Sequence, residues 1–411
     1  MRHRFAISAV IGFFCLALSA FGQQWNSLTP LPDGYAMQTL SCYNGFLYQV
    51  GGYSYINGPS DGINVFYTKV NTNGTIGNWQ NTSYLPVAVY SHAAVAADGF
   101  IYVIAGYHAD NINGIYADSN VYSAKINLDG SLGSWKTNTC LPQSAVNLGA
   151  AVWNNKIYVT VGTDGENLFS NTFSATIQPD GTLSAWESQP SLPAEVFAQG
   201  EVANGYLYVL GGFVSGGTEL SADVYYSKIN KDGSLASWNQ TTSLPQASSY
   251  FGTIAANGWI FTIAGYNGAS CLNSCYGAPV NGDGTIGAWI SLANYPQLFA
   301  AMGTTANGLF IFSTGGQDSS GNANPNCYSF ALPTPPPTPS LIKSNFIDGI
   351  FNLQLTSIST NLGFGLRAST DLMNWTNIGW GFTHTNGRLL FSDTNTVSFP
   401  NRFYQAYWPL P

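Results

Sequence analysis

The chain has 411 residues, 45% of them hydrophobic and only 8% charged, with a net charge of −8. Nucleic-acid binding draws on clustered Lys and Arg to displace counterions, and no arginine occurs between positions 23 and 340. The cations of that stretch are Lys69, Lys125, Lys136, Lys156, Lys228 and Lys231, so nucleic acid and anionic lipid are both excluded as expected partners.

At the front stand Met1, Arg2, His3 and Arg4, then an apolar run from Phe5 to Phe21, closing on Ala20, Phe21 and Gly22. A basic start, a short apolar core and a small-x-small exit describe a secretory signal peptide over residues 1–22, with Gln23 as the first mature residue. A retained anchor is the alternative, but the run is short for a span of about 20 residues and no stop-transfer pattern follows. The mature protein is expected outside the cytoplasm (secreted, periplasmic or at the cell surface), without membrane insertion. Cys15 lies in the apolar run without a lipobox.

Six tryptophans follow at a near-constant period: Trp25, Trp79, Trp135, Trp186, Trp238 and Trp289, separated by 54, 56, 51, 52 and 51 residues. A period of about 50 marks an array of repeated β units. Each tryptophan precedes a Leu-Pro step or its Tyr295-Pro296 variant, then an apolar run that closes on glycine: Gly52, Gly106, Gly162, Gly212, Gly265 and Gly316. An aromatic-bearing strand next runs into a turn at Gly74, Gly130, Gly181, Gly233 or Gly284, and the next tryptophan comes five residues later. Asn-Gly or Asp-Gly between β-patterned runs is a strong hairpin signal, because glycine accepts a positive φ without a Cβ clash. Each unit therefore holds four short strands.

This pattern resembles the kelch repeat, in which a glycine pair is followed by a tyrosine and then a tryptophan. The pair is intact at Gly51-Gly52, Gly211-Gly212 and Gly315-Gly316, and softened at Ala105-Gly106, Val161-Gly162 and Ala264-Gly265. The resemblance implies an all-β fold, a six-bladed kelch-type β-propeller over residues 23–332. The first tryptophan lacks a preceding three-strand unit, and the last unit, Leu298 to Leu332, lacks a following tryptophan. Trp25 to Leu28 is thus expected to complete that last blade and close the ring, which removes the open edge of a linear array.

Residues 333–340 form a proline-rich spacer. Residues 341–411 have a different texture, with strand candidates at Phe351–Leu355, Gly363–Ala368, Leu389–Ser392 and Arg402–Trp408, and are read as a small β-sandwich-like accessory domain. The stretches from Ala368 to Thr376 and from Phe399 to Tyr404 resemble a short module at the C-termini of exported bacterial proteins.

The aromatics recurring in every unit are assigned to packing: Tyr48, Tyr102, Tyr158, Tyr208, Phe261 and Phe312 at one strand position, Phe66, Tyr122, Phe173, Tyr225, Tyr276 and Tyr328 at another. A ligand site is expected on the face shared by the loops entering strand one and those joining strands two and three. Its candidates are Tyr35, Gln38, Tyr90, His92, Asn147, Glu195, Phe197, Tyr250 and Phe299. Longer loops add Tyr53, Tyr55, Tyr107, His108, Asp110, Asp164, Glu166, Phe213, Glu219, Tyr266, Asn267, Gln317 and Asp318. Aromatics with amides and a few acids suit a glycan, and tyrosines equally anchor protein interfaces.

The expected function is an exported binding module for a carbohydrate or protein ligand, acting as a monomer without cofactor or metal. Two alternatives stay open: a carbohydrate-active enzyme using loop carboxylates, with Glu195 paired to Asp164, Glu166 or Glu219 and His92 as a further catalytic candidate, and a structural surface protein. The copper-dependent galactose oxidases of the kelch architecture imply two tyrosines and two histidines on copper. Here His92 and His108 are the ring's sole histidines and fall in one blade. The Asp-Gly turns carry too few acids for an EF-hand-like calcium loop. Export favours disulfides, and Cys271 and Cys275, expected in the loop after Gly265, are the candidate pair. Cys42 is expected as a small buried core residue, and Cys140 and Cys327 are left unpaired.

Overall fold

The computed structural model describes residues 24–54, 56–110, 114–160, 162–194, 196–214, 217–332, 340–347, 350–356, 363–369, 376–382, 388–393 and 403–407. The expected leader lies outside them, as do Tyr55, Val161, Glu195 and positions 333–339.

Six antiparallel blades of four strands follow one another around a ring, blades 2 and 4 each extended by a further short strand, Glu219–Leu220 in blade 4. Blade 1 comprises Thr39–Tyr43, Phe46–Val50, Val65–Lys69 and Gln80–Asn81. Blade 2 comprises Ala93–Ala97, Phe100–Asp110, Gly114–Lys125 and Lys136–Thr137, with Ala88–Tyr90 paired to its long second strand. Blade 3 is Gly149–Trp153, Lys156–Thr160, Thr172–Thr176 and Glu187–Gln189. Blade 4 is Phe197–Ala203, Tyr206–Val214, Val224–Lys228 and Asn239–Gln240, and blade 5 is Gly252–Ala256, Trp259–Tyr266, Cys271–Pro279 and Ile290–Ser291. Blade 6 takes Gly303–Ala306, Phe310–Thr314 and Cys327–Ala331 from the end of the ring, and its outer strand, Trp25–Leu28, from the start. The register runs from Trp25 opposite Phe330 to Leu28 opposite Cys327, as the unit count predicts.

The repeat residues hold blade to blade. Each tryptophan donates its indole N–H to a carbonyl following the previous blade's outer strand: Trp25 to Ala293, Trp79 to Thr29, Trp135 to Ser83, Trp186 to Thr139, Trp238 to Pro190 and Trp289 to Thr242. Four second-strand tyrosines reach the other way. Tyr48, Tyr102, Tyr158 and Tyr208 donate their hydroxyls to the turn carbonyls of Gly130, Gly181, Gly233 and Gly284 in the next blade. The equivalent position of blade 5 is Phe261. Its neighbour, blade 6, has no such turn, because its third and fourth strands come from opposite ends of the ring. Blade 6 also carries phenylalanine here, Phe312, although blade 1 has its turn at Gly74. The turn glycines are required twice over: Gly130 has φ +86, and a Cβ there would stand 2.4 Å from the Phe46 ring.

A third set of contacts circles the axis. Met37, Ser91, Asn147, Tyr250 and Ala301 all adopt positive φ just before their inner strands. Their backbones form a belt: the N–H of Ser91 donates to Met37, Asn147 to Ser91, Ala301 to Tyr250 and Met37 to Ala301. Non-glycine residues tolerate the left-handed conformation here because each makes a bond to its neighbour around the ring.

Beyond the ring, Ser340–Ile347, Ile350–Thr356 and Arg388–Asp393 form one sheet, and Gly363–Ser369, Thr376–Phe382 and Phe403–Tyr407 another. Leu353, Leu355 and Phe391 of the first meet Leu366 of the second in a shared core. Ser340–Ile347 and Thr376–Phe382 are strands that the apolar alternation did not disclose.

Candidate functional site

Two regions emerge around the axis: a channel mouth ringed by loops, and the channel itself.

The mouth carries a run of aromatic rings. Tyr53 meets Tyr90 edge-on at 5.8 Å, and Tyr90 stacks on Tyr107 at 5.1 Å. Phe213 meets Tyr250 at 5.8 Å. Burial raises the Tyr250 hydroxyl above its ordinary pKa, with Tyr107 adding to the shift. Tyr53, Tyr90, Tyr107, Phe213 and Tyr250 thus gather from blades 1, 2, 4 and 5 on the loop face. Tyr53 is exposed, and Tyr90, Tyr107, Phe213 and Tyr250 are half-buried.

Other candidates are held within the fold, though Gln38 and His92 also border the channel described below. Tyr35 is buried (1% exposed), its hydroxyl accepts from the Asn64 amide at 2.9 Å, and burial pushes it up to about 12. The Gln38 amide donates to the Thr314 carbonyl at 2.6 Å. Phe299 belongs to the core between blades 5 and 6. The His92 Nε2 lies 3.0 Å from the Thr39 hydroxyl, and burial, with His108 assisting, lowers its pKa to about 3, so the ring is neutral. His108 is buried against Tyr122, its Nδ1 2.7 Å from Asp118. Among the described residues no group of three or more His, Cys, Asp or Glu comes together.

Loop acids are also spoken for. Asp164 accepts from the backbone N–H of Glu166 and Asn167, and Asp318 from those of Ser320 and Asn322, which holds both carboxyls below their usual range. Glu166 and Glu219 are exposed, whereas Tyr266, Asn267 and Gln317 are half-buried. Phe197 enters blade 4 opposite Phe213. The side chain of Asp110 lies outside the described residues, as does all of Glu195.

Cys271 and Cys275 are free thiols, not the expected pair. They sit not in a loop but on one strand, Cys271–Pro279, opposite Tyr266 and Ile263. Four residues of extended chain span roughly 13 Å, whereas a disulfide needs Cα atoms within about 7 Å. Cys42, expected in the core, is half-buried and borders the channel, because its strand is the innermost edge of the blade.

The channel is a cavity of about 410 Å3 running from Met37, Ser91, Asn147 and Tyr250 at the mouth to Cys42, Ala96, Val152 and Ala306. Among the described residues one carboxylate borders it, that of Glu201. In register with Tyr208, Glu201 occupies the position held elsewhere by Ser41, Val95, Ala151, Ile254 and Thr305. Its Oε1 accepts the backbone N–H of Ala255 in the next blade at 3.1 Å. Part of the side chain opens to the channel, yet protein surrounds it, and this burial raises its pKa to about 7 against the pull of the Ala255 and Val202 amides. Sequence reasoning missed Glu201. The available signal was a lone acid in an otherwise uncharged column of the repeat.

A closed ring of six such blades, tied by the tryptophan and tyrosine bonds described, is a kelch-type β-propeller. No family model matches the chain. Over 110 residues it is 30% identical to Kelch repeat and BTB domain-containing protein 1 of horsepox virus, covering 26% of this chain and 18% of that protein. Over 205 residues it is 26% identical to Kelch-like protein 40 of Xenopus laevis, covering 49% of this chain and 30% of that protein. The chain thus spans less than a third of the length of these curated relatives. The solved structure of YjhT shares the fold, with a TM-score of 0.59 over 74% of this chain and 97% of that one, at 14% identity.

Proposed function

We propose that this protein is an exported binding module that holds a partner protein on the tyrosine-rich mouth of its propeller. The kelch propeller fold implies a protein-binding module. The observation that carries the finer reading is the run Tyr53, Tyr90 and Tyr107, with Phe213 and Tyr250 beside it. Such rings bury a large area at low entropic cost and are the usual anchors of interfaces. Export through a leader at residues 1–22 and action as a monomer belong to the same proposal. N-terminal sequencing of the secreted protein should begin at Gln23.

The test is capture of partners from the organism's own envelope fraction by the full chain. Tyr53→Ala and Tyr90→Ala should each weaken capture about tenfold or more while the melting temperature holds. Undiminished capture by both variants overturns the reading.

A glycan ligand is the second reading, favoured by the stacked Tyr90 and Tyr107 beside the mouth residue Asn147. Glycan-array binding that Tyr90→Ala abolishes would select it. A hydrolase needs two opposed carboxylates, and Asp164, one candidate to pair with Glu195, is engaged by its own turn.

A further inference from the structure

We propose that the central channel, below the mouth and independent of partner docking there, binds a primary ammonium group carried on an aliphatic chain. Three observations converge. First, among the described residues the channel is lined by one carboxylate, Glu201, and the ion pairs are His108–Asp118 and Lys156–Glu187, neither of which involves it. A carboxylate enclosed without a counter-charge gains most from a cation brought by a ligand.

Second, the six inner strands each end their sheet, so one edge of backbone N–H and C=O groups has no strand partner. Glu201 takes one such N–H, that of Ala255, and the Ser41 hydroxyl donates to one such carbonyl, that of Ala94, at 3.4 Å. An ammonium group has three donors and no acceptor. One donor suits the free side of the Glu201 carboxylate, and the others suit edge carbonyls.

Third, the walls carry small, uncharged residues: Ala94, Ala96, Ala150, Gly200, Thr253 and Thr304. They leave an uncharged space of about 410 Å3, enough to hold the aliphatic part of an amine behind its ammonium group. The other titratable groups lining the cavity are Cys42, His92 and Tyr250. Burial moves them away from neutrality, Cys42 up to about 11, His92 down to about 3 and Tyr250 upward. A change in binding near pH 7 therefore reports Glu201.

The ammonium could arrive as a free amine or as a lysine side chain. The test is calorimetric titration of the full chain with 1,5-diaminopentane, with 1-pentanol as the neutral control, and with the capped peptide Gly-Lys-Gly. Diamine affinity should rise as pH goes from 5.5 to 8, and should fall about 10- to 100-fold in Glu201→Gln, which keeps an acceptor for the Ala255 amide. Binding of the diamine alone identifies a free amine as the source, and binding of the peptide as well identifies lysine. Equal binding by Glu201→Gln, equal binding of pentanol, or no heat from either amine at millimolar concentration overturns the proposal. None of these outcomes bears on capture at the mouth, which Tyr53→Ala and Tyr90→Ala report separately.

Discussion

Trp25 stands opposite Phe330 in strand register, their rings 5.2 Å apart, and so joins the first described strand of the chain to the last strand of the ring. Trp25 also meets Tyr295 edge-on at 5.0 Å and donates its indole N–H to Ala293. Its contacts span the joint between blades 5 and 6 and hold the circle shut.

Trp25→Ala should therefore cost about 3 kcal/mol, within the range for removing a large packed aromatic. Urea unfolding should show a lower midpoint. Because the lost strand leaves blade 6 with an open edge, the variant should also associate more readily, as light scattering would report. An unchanged midpoint would mean that closure does not stabilise the ring.

The cross-blade tyrosine bonds predict an asymmetry. Tyr208→Phe leaves the Gly284 carbonyl without its 2.7 Å donor and should cost about 1 kcal/mol. Phe261→Tyr adds the missing hydroxyl where blade 6 offers no turn to receive it, and should bring no gain. Denaturation midpoints of the two variants decide the matter.

Glu201 makes stability depend on pH. Folded, its carboxyl holds a proton up to about pH 7, against 4.5 for an ordinary glutamate. Its contribution favours folding at acid pH and is lost as pH climbs from about 4.5 to 7, amounting to about 3 kcal/mol at most. Glu201→Gln should flatten this dependence and exceed the parent in stability at pH 8. Thermal melts across pH 4 to 8 would reveal it, and a parallel pair of curves would refute it.

The thiols should titrate unevenly. Cys140 is exposed, whereas Cys271, Cys275 and Cys327 are buried and Cys42 is half-buried. Burial raises the pKa of Cys42 to about 11, lifts that of Cys271, and raises those of Cys275 and Cys327 to about 12, which starves them of reactive thiolate. A thiol reagent at pH 8 should label Cys140 quickly and the others only after denaturation. Cys271 and Cys275 should both appear as free thiols without added reductant.

Much of the ring was legible because its information is local. Five turns with glycine at a fixed distance before tryptophan set strand count and blade boundaries, and an unpaired strand at each end implied closure. The tyrosine column was read as packing for the same reason. The pocket was less legible. Tyr90, Asn147 and Tyr250 lie at the mouth, but Tyr35 and Phe299, equally plausible by loop position, are buried in the core, and Gln38 and His92 border the channel while bonded to neighbouring blades. Loop position identifies the face of a propeller but does not say which side chains the adjacent blade covers.

What the amino-acid order determined by itself is the period, the hairpins and the pairing of the first strand with the last unit, since each follows from β-turn chemistry and from the need to leave no sheet edge bare. What only the tertiary structure decided lies between blades. Gly130 receives the Tyr48 hydroxyl, the belt through Met37, Ser91 and Asn147 circles the axis, and Glu201 faces an enclosed channel. Two cysteines close in sequence stand too far apart to bond. Curvature of the ring brings residues 50 to 80 positions apart into contact, as with Tyr48 and Gly130, and a periodic sequence carries no direct record of that geometry.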